Sequence, residues 1–200
     1  MLTLTGISLF LHFFMWDTSP PCFSVDEAAY GYNAYSIMKT GMDEFGRFLP
    51  LRLQSFGDFK LPMYSYLTIP FVLLFGLTEF STRLPTYLAA IGLIWVMYFL
   101  IAELSGNKRQ ALIGAFFVTF SPWINTISRH AHEVVVATFF ITLGLLFLVK
   151  YVKKQTLINA IATLIFLAIA LYTYHIARLF VGLFSAVLLF KFFFMHKQNA

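Results

Sequence analysis

Long apolar runs occupy most of this chain after residue 81, and they set the strongest limit on its fold. Of the 200 residues, 60% are hydrophobic and only 12% are charged, and the mean hydropathy is +0.78. A helix needs about 20 apolar residues to cross the ~30 Å hydrocarbon core of a bilayer. We therefore predict an all-α fold: a polytopic helical membrane protein that forms a single integral membrane domain over residues 1–200. Six segments are predicted to cross: roughly 2–16, 82–104, 109–122, 133–152, 156–173 and 178–195. The helix of the second is predicted to start near Leu84-Pro85, with Pro in its first turn, and to end at Ser105-Gly106.

The composition also excludes several other classes of protein. Cys22 is the single cysteine, which excludes an internal disulfide and a cysteine-cluster metal site. The Lys and Arg residues lie at the ends of apolar segments rather than in a stripe interleaved with aromatic residues, so nucleic acid is not an expected partner. The apolar run 2–16 lacks a basic region before it and a small-residue cleavage site after it. We therefore predict that it is a first span and not a signal peptide.

Charge placement predicts the orientation of the spans, because Lys and Arg in short loops mark the cytoplasmic side. If segment 61–77 does not cross, the three basic clusters share one side with Glu103, and the other eight acids lie opposite. We therefore predict that 61–77 is an interfacial or re-entrant helix broken by Pro62 and Pro70. Residues 17–81 then form one large external loop of a protein in the plasma (inner) membrane. The basic clusters are Lys108-Arg109, Lys150 with Lys153-Lys154, and Lys191 with Lys197.

The first part of this external loop carries an adjacent pair of acids, Asp26 and Glu27. Ser24 and Glu27 have the S-x-x-E spacing of a capping box, so a helix is predicted to begin here and to end at Gly41. In the structural interpretation Glu27 closes this box and the helix dipole stabilises Asp26. In the functional interpretation Asp26, mounted on a rigid helix start at the membrane surface, is a general base for an incoming hydroxyl. The two roles are compatible.

A second polar element, Asp58-Phe59-Lys60, follows Gly57 and precedes Leu61-Pro62. It is predicted to leave a turn and to enter the helix over 61–77. Lys60 then has two interpretations. Either its ammonium snorkels and anchors an interfacial helix, or it pairs with the phosphate of a lipid headgroup. In the second case Asp58 orients Lys60 or shares in acid–base chemistry.

Two more polar clusters lie in predicted external turns. His130 and His132, between Arg129 and Glu133, are metal-ligand types, but two residues one position apart point in different directions on a helix. An i,i+4 pair of Arg129 and Glu133 is the structural alternative to a metal site.

The turn that contains His175 and Arg178 is a candidate phosphate site, and Arg129 is a further candidate ligand of the donor phosphate. The predicted topology brings six of these side chains to one face of the membrane, and this placement predicts a single site: Asp26, Asp58, Lys60, Arg129, His175 and Arg178.

Three motifs occur in a fixed order: Asp26-Glu27 in the sequence Asp-Glu-Ala-Ala-Tyr, Asp58-Phe59-Lys60-Leu61-Pro62, and Arg83-Leu84-Pro85. The set resembles the N-terminal half of the membrane glycosyltransferases with the C-type fold, over about residues 20–105. The closest groups are the protein O-mannosyltransferases and the aminoarabinose transferases that act on lipid A. Leu61 departs from the pattern, because many relatives have proline there. The relatives are also longer, so we expect this domain to be incomplete.

The resemblance implies a glycosyltransferase whose donor is a sugar on a polyprenyl phosphate and whose acceptor is a hydroxyl of a glycan, a lipid or a protein. Asp26, the first acid of the catalytic pair with Glu27, would deprotonate the acceptor, and attack would invert the anomeric carbon. Lys60 would hold the donor phosphate and stabilise the departing lipid phosphate. Asp58 would be a second acid near the sugar. No cofactor is expected, and a divalent metal is not expected in these groups, although other enzymes of this fold use one.

Two alternatives have different sequence requirements. A transporter of lipid-linked sugars would have charged residues inside its spans, or paired broken helices in two halves. The predicted spans contain no mid-helix acid or base, and no repeat is visible. A non-catalytic or truncated membrane subunit would retain donor binding without activity, and the sequence is compatible with it.

Overall fold

A computed structural model describes residues 1–14, 22–55 and 57–198, with side chains up to residue 186 except that of Asp58. The described part is mostly helical, as predicted. The end of the first predicted span and the start of the external loop lie outside the described residues. The helices are α1 Leu2–Phe13, α2 Val25–Thr40, α3 Met63–Phe75, α4 Glu79–Ser105, α5 Lys108–Thr119, α6 Pro122–Ile127, α7 Glu133–Lys153, α8 Leu157–Leu171 and α9 His175–Gln198.

Two helices of the described part, α4 and α7, are long and apolar enough to cross a membrane. They pack against each other and run in the same direction, since Arg83 and Ala131 both contact Glu27 at one end and Lys153 contacts Glu103 at the other. At 1.5 Å per residue, the stretch of α4 between Arg83 and Glu103 spans about 30 Å. That length equals the thickness of the hydrocarbon core. The two polar clusters are thus separated by about one membrane thickness.

The other predicted spans are not confirmed as crossing segments. α1 and α5 have 12 residues each and α8 has 15, which is shorter than a helix needs to cross unaided. The predicted third span is divided, because α5 ends at Thr119 and Pro122 opens the separate short helix α6. Pro is favoured at the first position of a helix, where its missing N–H leaves no bond unmade.

The helix α2 begins and ends where the sequence predicts. The Ser24 side chain accepts from Glu27 N, and the Glu27 carboxylate accepts from Ser24 N, so both bonds of the capping box are present. Gly41 ends the helix with φ +72°, in the left-handed region that favours glycine. α2 also approaches α4 closely, because a Cβ on Gly31 would lie 2.6 Å from Thr82 Oγ1.

Two strands were not predicted. β1 Leu53–Ser55 and β2 Asp58–Lys60 pair in antiparallel register, with Leu53 opposite Lys60. Gly57, at φ +87°, lies in the turn between them. Lys60 therefore ends a strand and does not open a helix, because Pro62 caps α3 and the helix begins only at Met63.

The segment 61–77 is one helix over most of its length, and the prediction that Pro70 breaks it is wrong. With 13 residues α3 is about 20 Å long, too short to cross ~30 Å of hydrocarbon. Tyr64 at its start bonds to Thr82 O, and Gly76 at its end accepts from Ser81 Oγ. Both ends of α3 therefore lie near the start of α4, which fits a helix that does not cross.

The start of α4 also differs from the prediction. The helix begins at Glu79 with a capping box between Thr78 and Ser81, so Pro85 lies inside it rather than in its first turn. The earlier start adds a turn that contains Arg83. The helix ends at Ser105 before a left-handed Gly106, as predicted.

Below the starts of these helices is a tightly packed core. The Tyr30 and Tyr64 rings lie with their centroids 4.8 Å apart, and the small side chains of Ala89 and Ala90 let α4 approach them. This core supports the start of α2, which carries the polar residues, because Tyr30 of α2 is one of its members. Its buried members are Tyr30, Tyr64, Ala89, Ala90, Ala131, Val135 and Val136.

Candidate functional site

Glu27 is the centre of a buried polar network that joins α2, α4 and the start of α7. Its side chain is 1% exposed. Oε1 accepts from Arg83 Nε and from Ala131 N, both at 2.7 Å. Oε2 accepts from Arg83 Nη2 at 3.1 Å and from Ser24 N at 2.9 Å, and His130 Nδ1 lies 3.8 Å from it.

This network decides the charge state of Glu27. Burial alone would raise the pKa of the carboxyl group, but the bonds from Arg83, Ser24 N and Ala131 N favour the carboxylate. The net effect lowers the pKa of Glu27 below its ordinary value. A carboxylate with both oxygens engaged and a lowered pKa is a poor proton acceptor. The geometry therefore favours the structural interpretation of Glu27 over the catalytic one.

Asp26, one residue earlier, has very different surroundings. Its side chain is 70% exposed, and the Lys60 ammonium donates to its Oδ1. The Lys60 side chain is only 13% exposed, and its Nζ lies 4.8 Å from the centroid of the Tyr30 ring. The structure thus brings the predicted base and the predicted phosphate ligand into direct contact, with the ammonium held over an aromatic face.

A pocket of about 280 Å³ opens beside this pair. It lies between the start of α2 and the start of α7, so its walls carry Asp26 and the buried Glu27 together with both histidines of the turn before α7. Polar side chains that converge on a concave surface can hold a hydroxyl-rich ligand. The lining residues are Ser24, Asp26, Glu27, His130, Ala131, His132 and Glu133.

Arg129 contacts α1 rather than the pocket. Its Nη2 donates to Leu11 O at 2.7 Å and to Phe14 O at 2.5 Å. The predicted i,i+4 pairing with Glu133 is wrong, because α7 begins at Glu133 and Arg129 lies in the turn before the helix. Glu133 instead lies 3.7 Å from His132 Nδ1.

His175 lies next to the hairpin that carries Lys60. Its Nε2 is 3.0 Å from Phe59 O, and Met63 N donates to Tyr172 O at 3.3 Å. The turn before α9 therefore packs against the junction of β2 and α3. Arg178 is directed elsewhere, because its Nε donates to Leu171 O at the end of α8.

Asp58 pairs with Ser55 through the strand register. Its side chain lies outside the described part, so its predicted role stays a prediction. Across the described ranges, no three His, Cys, Asp or Glu side chains converge as metal ligands would. The expectation that no metal is needed also stays a prediction.

Sequence reasoning did not place Arg83 in the site, although it used Arg83-Leu84-Pro85 as a motif. The side chain is fully buried, and it also donates from Nη2 to Cys22 O and lies 3.5 Å from Glu79 Oε2. An arginine at the edge of a long apolar run requires a buried partner or a polar cavity. That requirement could have predicted an ion pair for Arg83 from the sequence. The acids of the preceding loop were the candidate partners.

Residues 60–198 match the family model of the dolichyl-phosphate-mannose-protein mannosyltransferases. The matched region is more than half of the chain. The chain belongs to this family. The mannosyltransferase match makes it a membrane glycosyltransferase of the kind that includes the aminoarabinose transferases, as the resemblance implied. The matched region contains Lys60, Arg83 and His175 and begins after Asp26 and Glu27. No curated protein and no solved structure matched the chain.

Proposed function

We propose that this mannosyltransferase-family protein transfers a sugar from a polyprenyl-phosphate donor to an acceptor hydroxyl at the external face of the membrane, with inversion. The observation that carries the proposal is the contact between the exposed Asp26 carboxylate and the Lys60 ammonium at the edge of the polar pocket. One member can act on the acceptor and the other on the leaving group. The acceptor would be a hydroxyl of a glycan, a lipid or a protein.

Lys60 suits the phosphate of the donor. A lysine ammonium is a compact charge with three donors on a flexible stem, so it can exchange a carboxylate partner for a phosphate oxygen. The Tyr30 ring beneath it fixes its position without neutralising its charge. As the bond between the sugar and the phosphate oxygen breaks, negative charge grows on that oxygen. A fixed ammonium stabilises this charge more in the transition state than in the ground state.

Asp26 suits the acceptor. When a donor phosphate engages Lys60, the ammonium is drawn from Asp26, whose carboxylate can then accept the proton of an acceptor hydroxyl. The acceptor oxygen forms a bond to the anomeric carbon on the face opposite the phosphate. The electron pair of the broken bond leaves with the polyprenyl phosphate. The proton stays on Asp26, and the configuration at the anomeric carbon is inverted.

A lipid-linked donor also requires a place for its tail. An apolar groove of about 210 Å³ lies between α3, α4 and α7, and Leu67 in its lining packs against the core that contains Tyr30. A prenyl chain in this groove would leave its phosphate near the start of α3, where Lys60 lies. The groove is lined by Leu67, Phe71, Pro85, Leu88, Ala89, Val136, Phe139 and Phe140.

The test is the binding of polyprenyl phosphate to the purified chain in nanodiscs. We expect saturable binding that Lys60→Ala weakens about 10- to 100-fold, because a hydrogen bond to a charged group contributes roughly 1.5–3 kcal/mol. Lys39→Ala is the matched control, since Lys39 also lies over a tyrosine ring of α2 but not beside Asp26. Asp26→Asn should retain binding or tighten it, because it releases Lys60 from its carboxylate partner.

Equal weakening by Lys60→Ala and Lys39→Ala would contradict a specific phosphate contact. A well-folded wild type that binds no polyprenyl phosphate would contradict the proposed donor. Binding without any sugar transfer would favour the non-catalytic subunit.

A further inference from the structure

A second polar pocket lies at the opposite end of α4 and α7, about 30 Å from Arg83 along α4. This basic pocket has a volume of about 270 Å³ and is formed where α4 ends, α7 ends and α8 begins. Nothing in the proposed transfer reaction uses it. It is lined by Glu103, Lys150, Lys153, Lys154 and Asn159.

The lining carries an excess of positive charge. Three lysines face one carboxylate, and Glu103 is already paired: its Oε2 lies 3.3 Å from Lys153 Nζ, which also donates to the Glu103 carbonyl. Lys150 Nζ lies 5.3 Å from the centroid of the Phe147 ring, an aromatic face that positions the ammonium and leaves its charge in place. Lys150 and Lys154 are thus the two lysines of the lining that Glu103 does not neutralise.

The first turn of α8 borders the same pocket through Asn159. Thr156 precedes α8 and makes no side-chain hydrogen bond to its first turn. The first N–H groups of a helix have no partner within the helix, and the helix dipole makes that end attractive to anions. Asn159, in this first turn, lines the pocket, and its side-chain amide donates to Lys154 O at 3.5 Å, which joins the end of α7 to the start of α8.

The depth of the pocket indicates the type of anion. α7 has 21 residues, which span about 30 Å, so its last turn lies at headgroup level when its apolar length fills the bilayer. Basic pockets between membrane helices at that level bind anionic headgroups. Lysines that only determine the orientation of the membrane spans can lie anywhere in a cytoplasmic loop. They do not require a cavity formed by three helix ends.

We propose that the basic pocket binds the phosphodiester headgroup of an anionic membrane lipid. Lys150 and Lys154 would hold the phosphate oxygens, and the start of α8 would donate to them. The acyl chains would run along the outer surfaces of α7 and α8. The bound lipid would connect these two helices at the end of the molecule opposite the Asp26–Lys60 pair.

The test compares short-chain phosphatidylglycerol with phosphatidylcholine as probes for the purified full chain in detergent. We expect the wild type to prefer phosphatidylglycerol. Lys150→Gln combined with Lys154→Gln should reduce that preference about 10- to 30-fold, because each lysine near an anionic surface changes the binding constant by up to about tenfold. Lys153 is kept so that its pair with Glu103 remains. Circular dichroism and size-exclusion chromatography establish that each variant is folded.

The matched control is Lys108→Gln with Arg109→Gln, two basic residues at the start of α5 and at the same end of α4. An equal loss in the control would mean diffuse surface charge and would overturn the proposal, as would an unchanged preference in the lysine variant. Glu103→Gln provides an independent reading, because removal of the one carboxylate should tighten phosphatidylglycerol binding.

Inorganic phosphate alone distinguishes the two sources of a phosphate group. If it binds with the same dependence on Lys150 and Lys154 while the wild type shows no lipid preference, the pocket is a free-phosphate site and the lipid proposal is wrong. The polyprenyl-phosphate experiment uses a different pocket and a different lysine, so either proposal can fail without the other.

Discussion

Asp26 and Glu27 are adjacent acids in the first turn of one helix, and the fold gives them opposite surroundings. Glu27 is 1% exposed and bonded to Arg83, whereas Asp26 is 70% exposed and bonded to Lys60. Neighbouring positions on an α-helix point about 100° apart, so one carboxylate faces α4 while the next faces the pocket. The pair is divided into a buried anchor and an exposed carboxylate, which is the proposed reactive group.

The energies of the two ion pairs differ accordingly. Removal of one partner from a buried, hydrogen-bonded pair leaves an uncompensated charge and costs roughly 3–5 kcal/mol. An exposed pair contributes at most about 1 kcal/mol, because water screens it. The fold therefore depends on Glu27 and Arg83 being present together, because either charge alone would be buried without a partner. The Asp26–Lys60 pair contributes little to stability and can rearrange at little cost.

The largest expected effect separates the two acids by activity. Asp26→Asn should reduce sugar transfer about 10²- to 10⁴-fold, the usual contribution of a general base, while the free energy of unfolding changes by about 1 kcal/mol or less. The measurement is turnover of polyprenyl-phosphate mannose together with detergent-based unfolding. If Asp26→Asn unfolds the chain as readily as Glu27→Gln does, the distinction between anchor and reactive group is lost.

A second prediction concerns the anchor alone. Arg83→Met should lower the free energy of unfolding by roughly 3–5 kcal/mol, because it leaves the Glu27 carboxylate buried without its cation. Glu27→Gln with Arg83→Met should recover part of that loss, since the buried charge is then removed. A single Arg83→Met variant as stable as wild type would mean that water or another cation already satisfies Glu27.

The smallest expected effect is a dependence of stability on pH. The lowered pKa of folded Glu27 means that the unfolded chain binds this proton more readily. Its contribution to stability is therefore present above the ordinary carboxyl value of 4.5 and is lost as the pH falls below it. Thermal unfolding of wild type, Glu27→Gln and Asp26→Asn, followed from about pH 6 to about pH 4, should show a weaker acid loss only in Glu27→Gln. The same acid loss in all three would assign it to other carboxylates.

Patterns that depend on neighbouring residues were predictable from sequence. The capping box at Ser24 and Glu27, the stop at Gly41 and the ends of α4 and α7 near Ser105 and Lys153 follow from local hydrogen bonding and hydropathy. The ordered motifs also predicted the glycosyltransferase family that the match to residues 60–198 shows. Pro70 and Pro85 were misjudged, because each lies inside a helix although proline removes a backbone hydrogen bond there. Pro85 is buried, which depends on tertiary packing and not on its neighbours in the sequence.

By itself, the sequence determined a mostly helical membrane protein of this family, and it predicted that most acids and the basic clusters lie at opposite ends of the long helices. Hydropathy and charge are properties of each residue and its neighbours in the sequence, so they can be determined without the folded structure. The tertiary structure decided that Glu27 is buried against Arg83 and Asp26 is exposed against Lys60, although the partners are 56 and 34 positions away. Such pairings depend on how α2, the hairpin and α4 pack together, and residue spacing along a single helix does not contain that information.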